Sequence, residues 1–201
     1  MSRLLTATDV TFQRQGEDVF PALDLALEAG QAVVILGPNG CGKTTLLRLL
    51  AGILSPVSGQ VERQANTAFL GHLAAVKGEL SCRENLEFLS RFHGASGLSP
   101  NQALGRTGLA GLGLRPARAL SAGQKRRLGL AGLLVAHRPI WLLDEPYASL
   151  DDAGGELVDR LLDAHLDSGG CVALSTHQRL PRLTGPVAQL HMQARIEMRV
   201  V

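Results

Sequence analysis

The chain has 201 residues, 45% hydrophobic and 19% charged, the proportions of one folded domain with a full core rather than a disordered or fibrous chain. A formal net charge of +2, with no basic run interleaved with aromatics, argues against a nucleic-acid partner. The three cysteines, Cys41, Cys82 and Cys171, form no C-x-x-C pair, which excludes a disulfide framework or zinc site and predicts reduced thiols.

Met1 to Leu5 has no signal-peptide apolar stretch, and no window approaches the ~18 consecutive apolar residues of a membrane span. Any membrane role is therefore expected to come from a partner. Alternating apolar and polar residues from Leu5 to Phe12 and from Val19 to Leu27, split by Gln15-Gly16-Glu17-Asp18, predict two antiparallel strands and a turn. Gln31 to Leu36 is a β-branched run, read as a buried strand. Thr44 to Leu54 then places Leu46, Leu47, Leu50 and Leu54 on one helical stripe.

From about Lys77 to Leu120 the chain is expected to be helical and punctuated by glycine. Ser81 with Glu84 three residues later is a capping-box pattern, and Gly94 to Pro100 reads as a loop. Ser121 opens a helix to about Ala136, which Pro139 brings to an end. Ile140 to Leu143 is the next strand, followed by a helix from Ala153 to about Asp167 and a strand from Cys171 to Ser175. From Val187 the alternation is weak and suggests edge strands. With no repeats and no linker, residues 1–201 are read as one domain with inserted subdomains.

Gly37-Pro38-Asn39-Gly40-Cys41-Gly42-Lys43-Thr44 fits the G-x-x-x-x-G-K-[ST] phosphate loop between a strand and a helix. Its glycines let backbone N–H groups turn toward a triphosphate, which also meets the positive end of the helix that starts near Thr44 and Thr45. Lys43 is expected to reach the β- and γ-phosphates, as a binding and catalytic charge, and Thr44 to offer its hydroxyl to Mg²⁺. A glycine-rich turn without a ligand is the alternative, and the lysine at the helix start speaks against it. Ile140-Trp141-Leu142-Leu143-Asp144-Glu145 ends a buried strand on two acids. Asp144 is assigned to Mg²⁺ and Glu145 to polarising the attacking water.

Leu120-Ser121-Ala122-Gly123-Gln124, ahead of Lys125-Arg126-Arg127 and 23 residues before Asp144 (144 minus 121), resembles the signature of ABC ATPases, usually L-S-G-G-Q. Ala122 replaces one glycine, a mild departure because a small residue still allows close approach. Ser149-Leu150-Asp151 resembles the family's dimer-contact D-loop, and Ser175-Thr176-His177 its switch histidine. The resemblance covers nearly the whole chain. It implies an α/β P-loop NTPase with a RecA-like core, an N-terminal antiparallel β subdomain and an inserted helical subdomain over about 77–136. It also implies a head-to-tail homodimer with two ATP molecules at the interface, where Ser121, Gly123 and Gln124 of one subunit face the phosphate loop of the other.

Finer features are similar to one branch, the ATP-binding subunits of bacterial cytochrome c maturation. They are Gly71-His72 with Lys77, Leu80-Ser81-x-x-Glu84-Asn85-Leu86, the Ser121-Ala122-Gly123-Gln124 variant with Arg126-Arg127, Thr176-His177-Gln178, and a chain that stops soon after the histidine. That branch implies ATP and Mg²⁺ as cofactors, CcmB- and CcmC-like transmembrane subunits, and a peripheral place on the cytoplasmic face of the inner membrane. Its work is haem export or release of a haem-loaded chaperone. The alternatives are the ATPase of another ABC transporter and a soluble ABC ATPase of iron–sulfur assembly. Two positions depart from the general pattern. His72 stands where the Q-loop glutamine is usual, and an imidazole titrates near neutral pH where glutamine does not. Arg14 stands where an aromatic usually stacks on adenine; its guanidinium can stack on a base, with Phe12 as the other candidate.

Overall fold

A computed structural model describes residues 2–72, 76–94, 97–177 and 179–192, and the backbone of 196–200. Gln178, part of the resemblance above, lies outside the described residues. Strands β1 (Arg3–Arg14) and β2 (Glu17–Glu28) form the expected antiparallel pair, and β4 (Ser58–Arg63) joins β1 on its other side. The second sheet has the order β5 (Thr67–Leu70), β6 (Ile140–Asp144), β7 (Cys171–Ser175), β3 (Ala32–Leu36), β8 (Val187–Met192), β9 (Ile196–Val200). Its neighbours are parallel except β9, which runs antiparallel to β8.

The apolar runs of the parallel strands bury both faces of the sheet. Val33, Ile35, Ile140, Leu142 and Ala173 point to one side, where they pack with helix α1 (Lys43–Leu50) and the antiparallel sheet. The alternate residues Val34, Trp141, Leu143, Val172 and Leu174 pack on the other side against helix α4 (Ala122–Ala136) and helix α5 (Asp152–Asp167). A third apolar cluster lies among α2 (Cys82–His93), α3 (Pro100–Arg106) and α4.

Several boundaries differ from the sequence reading. The helix after the phosphate loop stops at Leu50, because Gly52 turns into positive φ (75°), so Leu54 packs from beyond the helix end. Strands β4 and β5 fall in a stretch that carried no assignment: β4 is largely exposed and polar, and β5 is only four residues long. Of the two expected edge strands, β8 is interior, paired with both β3 and β9. The stretch before α4 is less helical than expected, with two short helices and a single 3₁₀ turn at Ala117–Ala119.

Parallel pairing brings one set of chain ends together. Asp144 is opposite Ser175 and Ile35 is opposite Ser175, so the last residues of β3, β6 and β7 share one edge. In an open parallel sheet, the crevice beyond the carboxyl ends of the strands is where ligands bind.

Candidate active site

At this edge the chain leaves β3 through a loop in which Gly37 and Gly42 leave no room for a side chain. Gly37 has φ 150°, and a Cβ there would lie 2.4 Å from the Met192 carbonyl oxygen; one on Gly42 (φ 100°) would lie 2.7 Å from the Phe20 ring. Helix α1 then starts with Gly42 as N-cap, no side chain capping it and no acid in its first turn. Its first amides are left pointing outward at the positive end of the helix, a site suited to an anion. Lys43 is buried, and its Nζ donates to the carbonyls of Gly37 (2.8 Å) and Pro38 (3.0 Å), curling the loop around the ammonium.

The acids stand opposite. Thr44 Oγ1 donates to Asp144 Oδ2 (2.8 Å) and Ser175 Oγ to Asp144 Oδ1 (2.7 Å), so both carboxylate oxygens are held. Glu145 has positive φ (54°), uncommon and strained for a residue with a side chain. Its amide is tied to both the Ser175 carbonyl (3.2 Å) and hydroxyl (3.1 Å). The turn aims the nearly buried Glu145 carboxylate at His177, whose Nδ1 lies 2.7 Å from Oε1 and whose amide donates to Oε2 (3.3 Å).

Around these groups lies a cavity of about 380 Å³ whose wall includes Arg14, Asn39, Gly40, Gly42, Lys43, Thr44, Thr45, His72, Asp144, Glu145 and His177. Two exposed cations, Arg14 and Arg48, border it, whereas Phe12 packs against the core beside β2. Of the loop residues, Gly37 and Pro38 take part through the carbonyls that hold Lys43, while Cys41 packs against the apolar cluster instead of the cavity wall. Ser121, Gly123 and Gln124 are not among the described residues of this wall. They form the start of α4, where Ser121 Oγ accepts from the Gln124 amide (3.2 Å) and Gln124 Oε1 from the Ser121 amide (3.0 Å). A single chain thus brings together at this edge the predicted groups other than Cys41 and those of the signature stretch.

Two neighbours of these groups have contacts that the sequence alone does not show. Ser175 is one, since nothing local shows that its hydroxyl meets Asp144. Arg126 is the other: only 3% exposed, it donates to the carbonyls of Pro146 (3.2 Å), Gly71 (2.7 Å), His72 (3.3 Å), Asp144 (2.5 Å) and Glu145. Burial lowers its guanidinium to about 10, opposed by Asp144 and Glu145, so it remains charged at neutral pH. A signal was available, because Arg126 occupies the same buried stripe as Leu130 and Leu133, four and seven positions on.

The donor set suits Mg²⁺. Thr44 and Asp144 present hard oxygen ligands 2.8 Å apart beside the phosphate cradle, and Mg²⁺ is usually held by one or two such groups plus substrate phosphates.

A protein-family model described as ABC transporter matches residues 20–148. The chain is 46% identical over 185 residues to the cytochrome c biogenesis ATP-binding export protein CcmA of Xanthomonas axonopodis pv. citri, covering 87% of this chain and 86% of that one. To the proteins of the same name in Rhizobium meliloti and Xylella fastidiosa (strain Temecula1) it is 47% identical (83% and 88% covered) and 42% identical (94% of each). Among solved structures, the dimeric post-hydrolysis state of an ATP-binding cassette bound to ADP and Pi superposes with a TM-score of 0.84 at 23% identity, over 96% of this chain and 98% of that one. The ATP-binding subunit of an ABC transporter superposes at 0.85 and 20% identity, over 98% and 90%. At these identities the superpositions establish the fold.

Proposed function

This chain belongs to the ABC transporter family, and within it to the CcmA ATP-binding proteins of cytochrome c biogenesis; from that premise we propose how its residues divide the work of hydrolysis. It is an ATP-binding and ATP-hydrolysing subunit of a membrane ABC complex for cytochrome c biogenesis. Among the described residues no helix is long and apolar enough to cross a membrane, so its anchorage is assigned to partners. Those partners are a second copy of the chain and CcmB- and CcmC-like transmembrane subunits on the cytoplasmic face of the inner membrane. The energy is spent on haem export or on releasing a haem-loaded chaperone.

The observation that carries the mechanism is the meeting of Lys43, Thr44, Asp144, Glu145 and His177 at one sheet edge. Lys43 exchanges the Gly37 and Pro38 carbonyls for the β- and γ-phosphates of ATP, and the amides of Gly40 and Gly42 take phosphate oxygens. Thr44 and Asp144 hold Mg²⁺, which when bound neutralises charge on the β- and γ-phosphates. Glu145 takes a proton from the water that attacks the γ-phosphorus as the bond to the β-phosphate oxygen breaks, leaving ADP and phosphate. His177 keeps the Glu145 carboxylate aimed and reaches the γ-phosphate. Arg14 stacks on the base, and His72 senses the γ-phosphate for the membrane subunits. Ser121, Gly123 and Gln124 close the site from the second subunit.

Glu145→Gln is expected to bind ATP and accumulate as a nucleotide-dependent dimer on size exclusion while hydrolysis falls by at least about 100-fold. A monomer at saturating ATP, with hydrolysis intact, removes Glu145 from the role of base. Lys43→Ala is expected to abolish ATP binding by equilibrium dialysis. In membranes, the tagged chain is expected to retain integral-membrane subunits after detergent extraction. Retention of soluble scaffold proteins alone points to the iron–sulfur alternative.

A further inference from the structure

We infer that Arg126 is a positioning residue for catalysis, the strut that holds Glu145 in its strained turn and ties it to the signature helix and to the Gly71–His72 segment. The inference rests on the reading of Glu145 as the base.

Three observations carry it. The first is the odd partnership of the guanidinium, which meets five main-chain carbonyls and forms no ion pair among the described residues. If Arg126 served only to satisfy a buried carboxylate, one bidentate partner would be enough. The second is where those carbonyls lie. Three belong to consecutive residues, Asp144, Glu145 and Pro146, which make the turn after β6, and two to Gly71 and His72 after β5. Carbonyls that converge on one another repel unless a cation sits between them, so the turn and the His72 segment are held in register by this charge. The third is the backbone of Glu145, at φ 54°, a conformation that persists only where its surroundings impose it. Its amide is fixed by Ser175 and its carbonyl by Arg126, so the two together set the direction of the carboxylate toward His177.

The same side chain belongs to α4, whose first residue is capped by Ser121, five positions earlier. A displacement of this helix, by the second subunit or by a membrane partner, is transmitted through one rigid guanidinium to the catalytic turn and to His72. The helix start and the carboxylates therefore move as one body.

The test uses the full chain and reads kcat and KM for ATP per folded molecule, with the folded fraction taken from the far-ultraviolet melt. Arg126→Gln is expected to lower kcat by about 100-fold, the effect of misplacing a catalytic group by about 1 Å, with KM for ATP changed less than about threefold. Arg126→Lys keeps the charge but reaches fewer carbonyls, and is expected to recover part of the rate, to within about tenfold of the parent. In a Glu145→Gln background, Arg126→Lys is expected to leave the ATP-dependent dimer intact, since nucleotide binding does not depend on the strut. Parental kcat in Arg126→Gln, or kcat and KM worsening in proportion, overturns the inference. If Arg126→Gln does not fold, Arg126→Lys decides: a kcat equal to the parent's overturns it. Full activity of Glu145→Gln alone instead condemns the assignment of the base and is recognised without any Arg126 variant.

Discussion

A methyl group meets different surroundings at the two adjacent small residues of the signature stretch. Ala122 is exposed, whereas a Cβ on Gly123 would lie 2.7 Å from the Ser149 carbonyl oxygen, in a turn where Ser149 itself has positive φ (64°). That contact explains why the departure from L-S-G-G-Q falls at 122. Gly123→Ala is expected to destabilise the fold by about 1–3 kcal/mol through overpacking, and Ala122→Gly by less than about 1 kcal/mol through helix propensity. Thermal melts of the two variants check both values. At the other end of the sheet His165 is stacked on Trp141, ring centroids 3.9 Å apart, with Nε2 against the Pro139 carbonyl. Burial lowers this imidazole to about 4, the Pro139 and Cys171 main chain opposing and His137 assisting. The folded chain therefore holds it neutral while the unfolded chain protonates near 6.5, so the unfolded state binds more protons between those values. Stability is expected to be full above about pH 6.5 and to decline as pH falls to about 4, by up to about 3 kcal/mol in all. Trp141 is the only tryptophan, so its fluorescence during urea melts at stepped pH follows the stack directly. His165→Phe should flatten the dependence in that window.

At the scale of elements, α5 does more than cover the sheet. Its Asp159 is buried and accepts from Tyr147 Oη (2.7 Å), from the Arg179 guanidinium (2.5 Å) and from the Arg182 amide (3.3 Å). Tyr147 lies two residues after Glu145 and Arg179 two after His177, so one carboxylate clasps the loops that carry both groups. Burial, reinforced by the Asp159 hydrogen bond, raises the Tyr147 phenol and keeps it the donor. Asp159→Asn leaves the Arg179 cation without its charge partner. With the Arg179 side chain still 22% exposed, the expected loss is about 3 kcal/mol, measured by urea denaturation. The elements themselves were legible where local chemistry is strong. Ser81 and Glu84 form both bonds of the predicted capping box, and Ser121 caps α4 as expected. The unpredicted box of Ser99 and Gln102 shows the limit, since Pro100 reads equally as loop or as the first residue of a helix. Strand β4 carries one half-buried apolar residue, Val61, too little for any alternation to register.

For the whole molecule, the proposed division of the site between two chains has a direct consequence. Neither Lys43→Ala nor Ser121→Arg alone should hydrolyse ATP. A mixture of the two forms heterodimers in which one interface combines an intact phosphate loop with an intact signature helix. Where the membrane subunits pair the two forms at random, half of the dimers are mixed, each with one good site of two, so activity is expected to recover to about a quarter of the parent's. A mixture as inactive as its components would speak against sites shared between subunits. The same separation marks what could be read from the chain alone. The phosphate loop, the acids of Asp144-Glu145, the signature stretch and His177 are contiguous or ordered motifs; the proposed roles of the loop and the acids follow from residue type and the strand or helix each adjoins, and those of the signature stretch and His177 from the family resemblance. The inner position of β8, the hold of Ser175 on Asp144 and the five-carbonyl seat of Arg126 come only with the fold. Each depends on which strand ends become neighbours, and parallel pairing joins residues as far apart as 71 and 145 through contacts that no local pattern encodes.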